Sequence, residues 1–434
     1  MAKKKKRRLK LWVRLTLWGI AFTLGTWILW WPADTLYGYW KRTSAGRAGT
    51  PEQTWLTSGT GCDSVMAGRL SRFLDTPSRL DRNDIAVCVW DLDTNTPVML
   101  WQDKELMVPA SCMKLLTAIS AMKRLGTEHR FTERMMVTGR VKGGVLHGDA
   151  IFQADDNPMV ESLDCYVGAL ARAGIRKVDG RFVINLMRTD TLQAHPTASR
   201  WDIPYNRTPI LLKGAPRIVH DMKFLLARAG ISAGEPVVEE GLRIYPGARV
   251  LKSTSTGIGD VIAPMLIHSS NIKADALAYH TRHYKERYAP GTGERESDLD
   301  VFIRENLGYD TSGFTLNDGS GLSPENMVTA DFLTTLLRFA WTETEIKRML
   351  IHKALATPGD PERRGSLACR MSGAMFRNRI FCKTGTLTSI GSSSLSGYAH
   401  GRNGHWYAFT IINRNSPVGE SRLYQDMLCR ELVR

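Results

Sequence analysis

Three short motifs carry the residue types that acyl-transfer chemistry needs. The first is Ser111 and Lys114, an S-x-x-K at the head of an apolar run. Leu115, Leu116, Ala118, Ile119, Met122 and Leu125 recur at helical spacing, and Gly126 closes the run. That spacing predicts a buried helix with Ser111 in its first turn. Lys114 then lies one turn along, on the same face. A serine hydroxyl is a weak nucleophile until a base takes its proton. A lysine is such a base when burial or nearby cations keep it neutral. The helix N-terminus adds free N–H groups where an oxyanion could develop. S-x-x-K alone arises by chance about once or twice in a chain this long, so it needs partners.

Two partners are present. Ser269-Ser270-Asn271 is an S-x-N, and Lys383-Thr384-Gly385 is a K-T-G. A K-T-G is expected only about 0.1 times by chance in such a chain. Together they supply what cleavage of a peptide with a free carboxylate end requires. Ser111 is the nucleophile and Lys114 its base. Ser269 can pass the proton to the leaving amine. Asn271 can hold the peptide amide and Lys114. Lys383 and Thr384 can hold the terminal carboxylate. Gly385 is expected to leave room for substrate lying along the strand as an added edge. The N–H of Thr386, with that of Ser111, would form an oxyanion hole. Lys383 close to Lys114 would help keep Lys114 neutral.

The elements that must position these groups are legible in outline. A hairpin is predicted from Ile85 to Trp90 and from Val98 to Trp101, across the turn cluster Asp91 to Pro97. It feeds directly into the Ser111 helix. Short strands are then expected at Arg134 to Thr138, Val145 to Ala154, Arg181 to Leu186 and Val237 to Tyr245. Helices are expected at Ser162 to Ala173 and Val219 to Ala229, both ending in the same way at a glycine. Ile262 to Tyr288 reads as helix with a break at His268 to Asn271. Further helices are predicted at Asp298 to Leu307 and Ala330 to Ala340. Three strands follow at Ile380 to Lys383, Ser394 to Ala399 and Trp406 to Asn413, then a helix from Gly419 to Leu432. One antiparallel sheet built from both ends of this region is the expectation.

The net charge of +15 over 434 residues first suggests nucleic acid. Eight of those charges, however, fall at Lys3 to Lys6, Arg7, Arg8, Lys10 and Arg14, before any acid. The remaining +7 is ordinary, and no nucleic-acid partner is expected. The basic cluster abuts an apolar run from Leu15 to Trp31, which with Leu11 to Val13 reaches the span of a bilayer, about 20 residues. Trp27, Trp30 and Trp31 suit the far interface, and the preceding cations put the N-terminus in the cytoplasm. A cleaved signal peptide is the alternative, but Trp30-Trp31-Pro32-Ala33-Asp34 lacks a small-x-small site. The expected organisation is a basic tail and anchor over residues 1–32 and a tether over 33–60. A first catalytic part (61–130), an α/β insertion (131–254) and a second catalytic part (255–434) follow. The expected location is the cytoplasmic membrane, single-pass, with the catalytic domain outside in the periplasm. Cys62 and Cys429 are a possible bridge between the ends of that exported part.

The motif order S-x-x-K, S-x-N, K-T-G resembles that of penicillin-recognising serine enzymes. The likeness extends further. Pro109-Ala110-Ser111 with Lys114-Leu115-Leu116-Thr117, Asn317-Asp318-Gly319-Ser320-Gly321-Leu322-Ser323 with Asn326, and Lys383 to Leu387 with Leu395-Ser396-Gly397-Tyr398 are similar to the class C low-molecular-mass penicillin-binding proteins. That is the D-alanyl-D-alanine carboxypeptidase/endopeptidase family, peptidase family S13. The resemblance covers about residues 80–434. It implies an α/β transpeptidase/β-lactamase-like fold: an antiparallel sheet flanked by helices, an all-helical subdomain and an α/β insertion. It implies cleavage of D-Ala-D-Ala termini or D-Ala cross-links of peptidoglycan stem peptides through an acyl-Ser111 intermediate. Covalent inhibition by β-lactams follows, with no cofactor. Within Trp201-Asp202-Ile203-Pro204-Tyr205, the resemblance implies that Asp202 faces an ammonium on the substrate. Pro324 stands where the family often has an arginine, and Asp155-Asp156-Asn157-Pro158 replaces a Gly-rich stretch.

Two other readings use the same residues. A serine β-lactamase or β-lactam sensor would share the triad, but no Glu-x-x-x-Asn loop of the class A type is present. A wall-binding protein on an inert fold would not need all three motifs intact. His280 and His283, three apart on a predicted helix with His268 nearby, lack third and fourth ligands at metal-binding spacing, so no metal is expected.

Overall fold

In the computed structural model the described residues are 64–76, 78–198, 208–288 and 298–434. The anchor and tether expected over residues 1–60 lie outside them, as do Cys62 and Asp202. No helix among the described residues is long and apolar enough to cross a membrane.

In chain order the described residues begin with helix α1 (Ser64–Asp75), strands β1 (Ile85–Asp91) and β2 (Thr96–Trp101), and helix α2 (Met113–Leu125). Strands β3 (Arg130–Val137), β4 (Arg140–Lys142), β5 (Val145–His147) and β6 (Ala150–Ala154) follow. Then come α3 (Asp164–Arg172), β7 (Lys177–Val178), β8 (Phe182–Leu186), α4 (Ala215–Arg228), β9 (Val237–Glu240) and β10 (Arg249–Gly257). Helices α5 (Ile258–Ile267), α6 (Asn271–Tyr288), α7 (Asp298–Phe302), α8 (Ala330–Thr342) and α9 (Thr344–Met349) lead to β11 (Ile380–Leu387), β12 (Ser392–His400) and β13 (Trp406–Asn413). Helix α10 (Val418–Val433) ends the chain.

Strand β1 is apolar from Ile85 to Trp90 because both of its faces are covered. Ile85, Val87 and Val89 point into one core with Met66, Leu70, Phe73, Tyr424 and Leu428 of α1 and α10. Ala86 and Cys88 point into the other, against Leu115, Ile119, Ile262, Leu336 and Leu337 of α2, α5 and α8. The strand period of two makes this division. The sheet runs β11-β12-β13-β1-β2. Its pairs are antiparallel, with Val87 opposite Ile411 and Gly385 opposite Ser394. Early and late sequence therefore share one sheet, and β11, which carries the K-T-G, is an edge.

A second sheet, β10-β3-β6-β8-β9, draws its strands from residues 130–257, and β4-β5-β7 form a small third sheet. Helices α3 and α4 pack Tyr166, Leu170, Ile218 and Met222 against Phe152 and Ile184 of the second sheet. They stop alike, at Gly174 and Gly230 with φ of +76° and +67°. Ile175 and Ile231 donate back to Leu170 and Leu226 at 3.1 and 2.9 Å, the Schellman pattern.

Several boundaries differ from the sequence expectation. The strand expected over Val145 to Ala154 is two strands, β5 and β6. The one expected to Tyr245 ends at Glu240. Strand β10 was not anticipated. Its Lys252-Ser253-Thr254-Ser255-Thr256 lacks apolar alternation because it is a largely solvated edge beside β3. Helices α1 and α9 were also not anticipated. Cys429, offered as half of a bridge with Cys62, is a buried free thiol.

Candidate active site

Ser111 sits in a single 3-10 turn, Ala110–Cys112, that runs straight into α2. Ala110 holds a left-handed φ of +47°, a conformation that costs a non-glycine residue energy and needs support. The support comes from β12. Ser392 Oγ donates to Val108 O at 2.8 Å, and Ser394 Oγ donates to Pro109 O at 2.6 Å and meets Cys112 Sγ at 3.2 Å. Cys112 Sγ in turn reaches Lys383 O at 3.2 Å, which fastens the turn to β11.

Gly385 completes that junction. A Cβ there would lie 2.1 Å from Ser394 Oγ and 2.6 Å from Pro109 O. The missing side chain lets β11 and β12 close on the Ser111 turn.

Lys114 is fully buried, and its Nζ meets polar groups from three segments. Ser111 Oγ is at 2.9 Å, Asn271 Oδ1 at 2.7 Å and Ser320 O at 2.6 Å. Two of these are carbonyl oxygens, which accept and cannot donate. In the neutral amine they take both N–H hydrogens, so the lone pair is left facing the Ser111 hydroxyl. The site thus orients its base with two fixed acceptors.

Asn271 opens α6. Two residues earlier, Ser269 holds φ at +59°, a second left-handed non-glycine residue. Lys383 Nζ donates to Ser269 Oγ at 2.8 Å and to Thr384 O at 2.8 Å. Lys383 is fully buried, and burial pulls its pKa down to about 8, opposed by the nearby Cys112 and Cys382 thiols. Each amine holds one polar residue of the S-x-N, Lys114 on Asn271 and Lys383 on Ser269.

Thr384 and Thr386 are half-buried on β11. Thr384 Oγ1 donates to Ser366 Oγ at 2.8 Å, and Thr386 Oγ1 accepts from Arg422 at 3.1 Å. The direction of the Thr386 N–H follows from strand parity. Cys382 N–H leaves the sheet to reach Ala356 O at 2.9 Å. Groups on an antiparallel strand alternate sides, so the N–H groups of Thr384 and Thr386 also point off the open edge. That is the side on which Lys383 reaches Thr384 O. An N–H at Thr386 aimed off the edge, beside the Ser111 turn, is what an oxyanion hole needs.

Ser320 had no role assigned from sequence. Its carbonyl is placed by Asp318, whose carboxylate accepts from Gly321 N at 2.5 Å, Ser323 N at 2.7 Å and Asn326 Nδ2 at 3.1 Å. Thr117 Oγ1 donates to Gly319 O at 2.6 Å. Gly321 has φ of +75°, and a Cβ there would lie 1.8 Å from Ala110 O. The loop therefore presses on the same turn that carries Ser111. The serines of β12 were also missed. The available signal was a run of serines, Ser392 to Ser394 and Ser396, in a strand buried along almost its whole length.

Asp202 falls outside the described residues. The segment that leads toward it reaches the loop just described, with Thr197 Oγ1 2.5 Å from Ser323 Oγ. The structure thus brings Ser111, Lys114, Ser269, Asn271, Lys383 and Gly385 together, with Thr384 and Thr386 along the same edge.

A sequence profile of the D-Ala-D-Ala carboxypeptidase 3 (S13) family matches residues 66–206 and 213–428. The chain belongs to that family. Among its relatives is a D-alanyl-D-alanine carboxypeptidase from Actinomadura sp., 36% identical over 183 residues, which is 42% of this chain and 32% of that protein. Carboxypeptidase DacB from Mycolicibacterium smegmatis is 25% identical over 366 residues, 76% of this chain and 77% of the relative. The fold is shared with penicillin binding protein 4 (dacB) from Haemophilus influenzae, at a TM-score of 0.63 and 18% identity, covering 84% of this chain and 99% of that one. A predatory peptidoglycan endopeptidase from Bdellovibrio bacteriovorus gives a TM-score of 0.54 at 15% identity, over 80% of this chain and 92% of that one. The α/β architecture expected from the motifs is the one this S13 chain adopts.

Proposed function

We propose that this chain is a serine D,D-carboxypeptidase/endopeptidase acting on peptidoglycan stem peptides. The observation that carries the reading is the environment of Lys114 Nζ: two carbonyl acceptors and the Ser111 hydroxyl. Neutral Lys114 takes the Ser111 proton as Oγ attacks the carbonyl carbon between two D-alanines. The oxyanion forms against the N–H groups of Ser111 and Thr386. The proton passes by way of Ser269 to the leaving amine, the C–N bond breaks, and D-alanine or the cross-linked peptide departs. Water then cleaves the acyl-Ser111 ester by the same route in reverse. Lys383 and Thr384 hold the terminal carboxylate.

A β-lactam places its strained amide where the D-Ala–D-Ala bond would lie, so the same nucleophile forms a stable acyl-enzyme. The basic cluster and apolar run of residues 3–31 support a single-pass anchor in the cytoplasmic membrane, with the catalytic part in the periplasm. Asp202 stands in this proposal as a contact to a substrate ammonium.

The test is release of D-alanine from a purified pentapeptide muropeptide. The wild-type chain releases it and S111A does not. Equal release by S111A sinks the assignment.

A further inference from the structure

A second polar cluster lies away from Ser111. His129 precedes β3, Asp155 and Asp156 follow β6, and His280 sits on α6. Sequence spacing offered His280 no third or fourth ligand, because its neighbours come from segments about 125 and 150 positions upstream. In the fold, donor atoms of His129, Asp155 and His280 all lie within 4.8 Å of one another. We propose that His129, Asp155 and His280 bind one divalent metal ion, zinc by the chemistry of its donors, and that this ion fastens the second sheet to the helix carrying Asn271.

The geometry argues for ligation over ion pairing. His280 Nδ1 faces Asp155 Oδ1 at 3.6 Å and Asp156 Oδ2 at 3.5 Å. Both distances are long for a hydrogen bond. The distance to Asp155 is close to the edge of a tetrahedral site, about 3.3 Å between donors held roughly 2 Å from zinc. Asp156 is 4% exposed, and its Oδ2 has no hydrogen-bond donor.

Charge argues the same way. Glu133, Asp155 and Asp156 are all buried, at 1, 6 and 4% exposure. The buried cation beside them, Arg188, comes no closer to Asp156 than 3.9 Å and lies over the Tyr279 ring at 4.5 Å. Three buried carboxylates in one place are costly, and a divalent cation would offset their charge. Two imidazoles in the donor set favour zinc over calcium or magnesium.

A second group of suitable residues, Asp91, Asp93 and His405, is different. His405 Nδ1 lies 2.7 Å from Asp91 Oδ2. Asp91 Oδ1 accepts from the N–H groups of Asp93 and Thr94, and Asp93 Oδ2 accepts from Trp406 N at 2.6 Å. Those oxygens close a turn, so this group serves as the control.

The proposed role is structural. His280 is nine residues beyond Asn271, about 13 Å along the helix axis. The ion would set the position of α6, and through it Asn271 and Lys114, without touching substrate. It also gives the Asp155-Asp156-Asn157 stretch a purpose.

The experiment is metal analysis of the purified full-length chain after exposure to zinc and dialysis against a weak chelator. Wild type should retain about one zinc per chain. H280Q and D155N should each bind at least about tenfold more weakly in a competition titration with a chromophoric chelator, while D93N matches wild type. Far-UV circular dichroism reports whether each variant is folded. Should either variant fail to fold, the wild-type titration decides by itself. Wild type that holds no zinc, that prefers calcium, or that holds no more zinc than folded H280Q overturns the proposal. The reading of Ser111 and Lys114 is unaffected by that outcome.

Discussion

Lys383 Nζ lies 2.8 Å from Ser269 Oγ, joining the edge strand of the first sheet to the turn before α6. Two residues on, Asn271 receives the other buried amine, Lys114. The S-x-N is thus held from both sides by lysines that do different work. Lys114 faces Ser111, and Lys383 faces Ser269 and the Thr384 carbonyl.

The first prediction concerns pH. Burial lowers the Lys383 pKa to about 8, so its ammonium is fully present below that pH and is lost as pH rises through it. For a substrate with a free carboxylate, kcat/KM should therefore fall above about pH 8, which reports the free enzyme. In K383R the guanidinium stays charged, and that basic limb should disappear even though overall activity drops. A limb unchanged in K383R would assign it to another group.

The second concerns the base. Asn271→Ala removes one of two acceptors that aim the Lys114 lone pair, and acylation by a fluorescent penicillin should slow by about 10²-fold or more. Asn271→Asp should be no better, because a carboxylate 2.7 Å from Nζ favours the ammonium. Stopped-flow labelling checks both. Near wild-type rates in either would mean that Lys114 needs no such orientation.

The third concerns the loop behind the base. Gly321→Ala combines a φ of +75° with a Cβ 1.8 Å from Ala110 O. The loop must retreat, taking Ser320 O away from Lys114. Acylation should fall at least about tenfold, with a stability loss of roughly 1–3 kcal/mol, as overpacking usually costs. Denaturant titration and the labelling rate measure the two parts separately.

The fourth concerns the turn that carries the nucleophile. Ser394→Ala deletes a buried hydrogen bond to Pro109 O, which keeps a second donor in Cys112 N at 3.2 Å. The stability cost should be about 1 kcal/mol, the usual value for one hydrogen bond. The acylation rate should fall as the Ala110 turn loosens. A variant with unchanged rate would show that the turn holds its shape without β12.

Much of this architecture was legible in the chain because its motifs are local. Ser111 and Lys114 are one turn apart, and Lys383 to Thr386 are consecutive on one strand, so spacing alone carried their geometry. Strand β1 announced itself because burial on both faces demands an unbroken apolar run. Other features were hidden where long-range contacts decide. Ser320 acts through its backbone carbonyl, which no side-chain pattern reveals. Gly385 was noticed, but the atoms that exclude a side chain there belong to Ser394 on the paired strand and to Pro109, far away in sequence. His129, Asp155 and His280 meet only because the second sheet lies against α6. Strand β10 escaped because a polar edge strand leaves no periodic trace.

The proposed mechanism rests on activation of Ser111 by Lys114, held by two carbonyl acceptors. Intact-protein mass spectrometry after brief exposure to benzylpenicillin, followed by peptide mapping, tests it most directly. Wild type should gain one penicilloyl adduct on the peptide containing Ser111, and K114A should gain it at least about 10²-fold more slowly. An adduct on another residue, or equal rates in wild type and K114A, would contradict it.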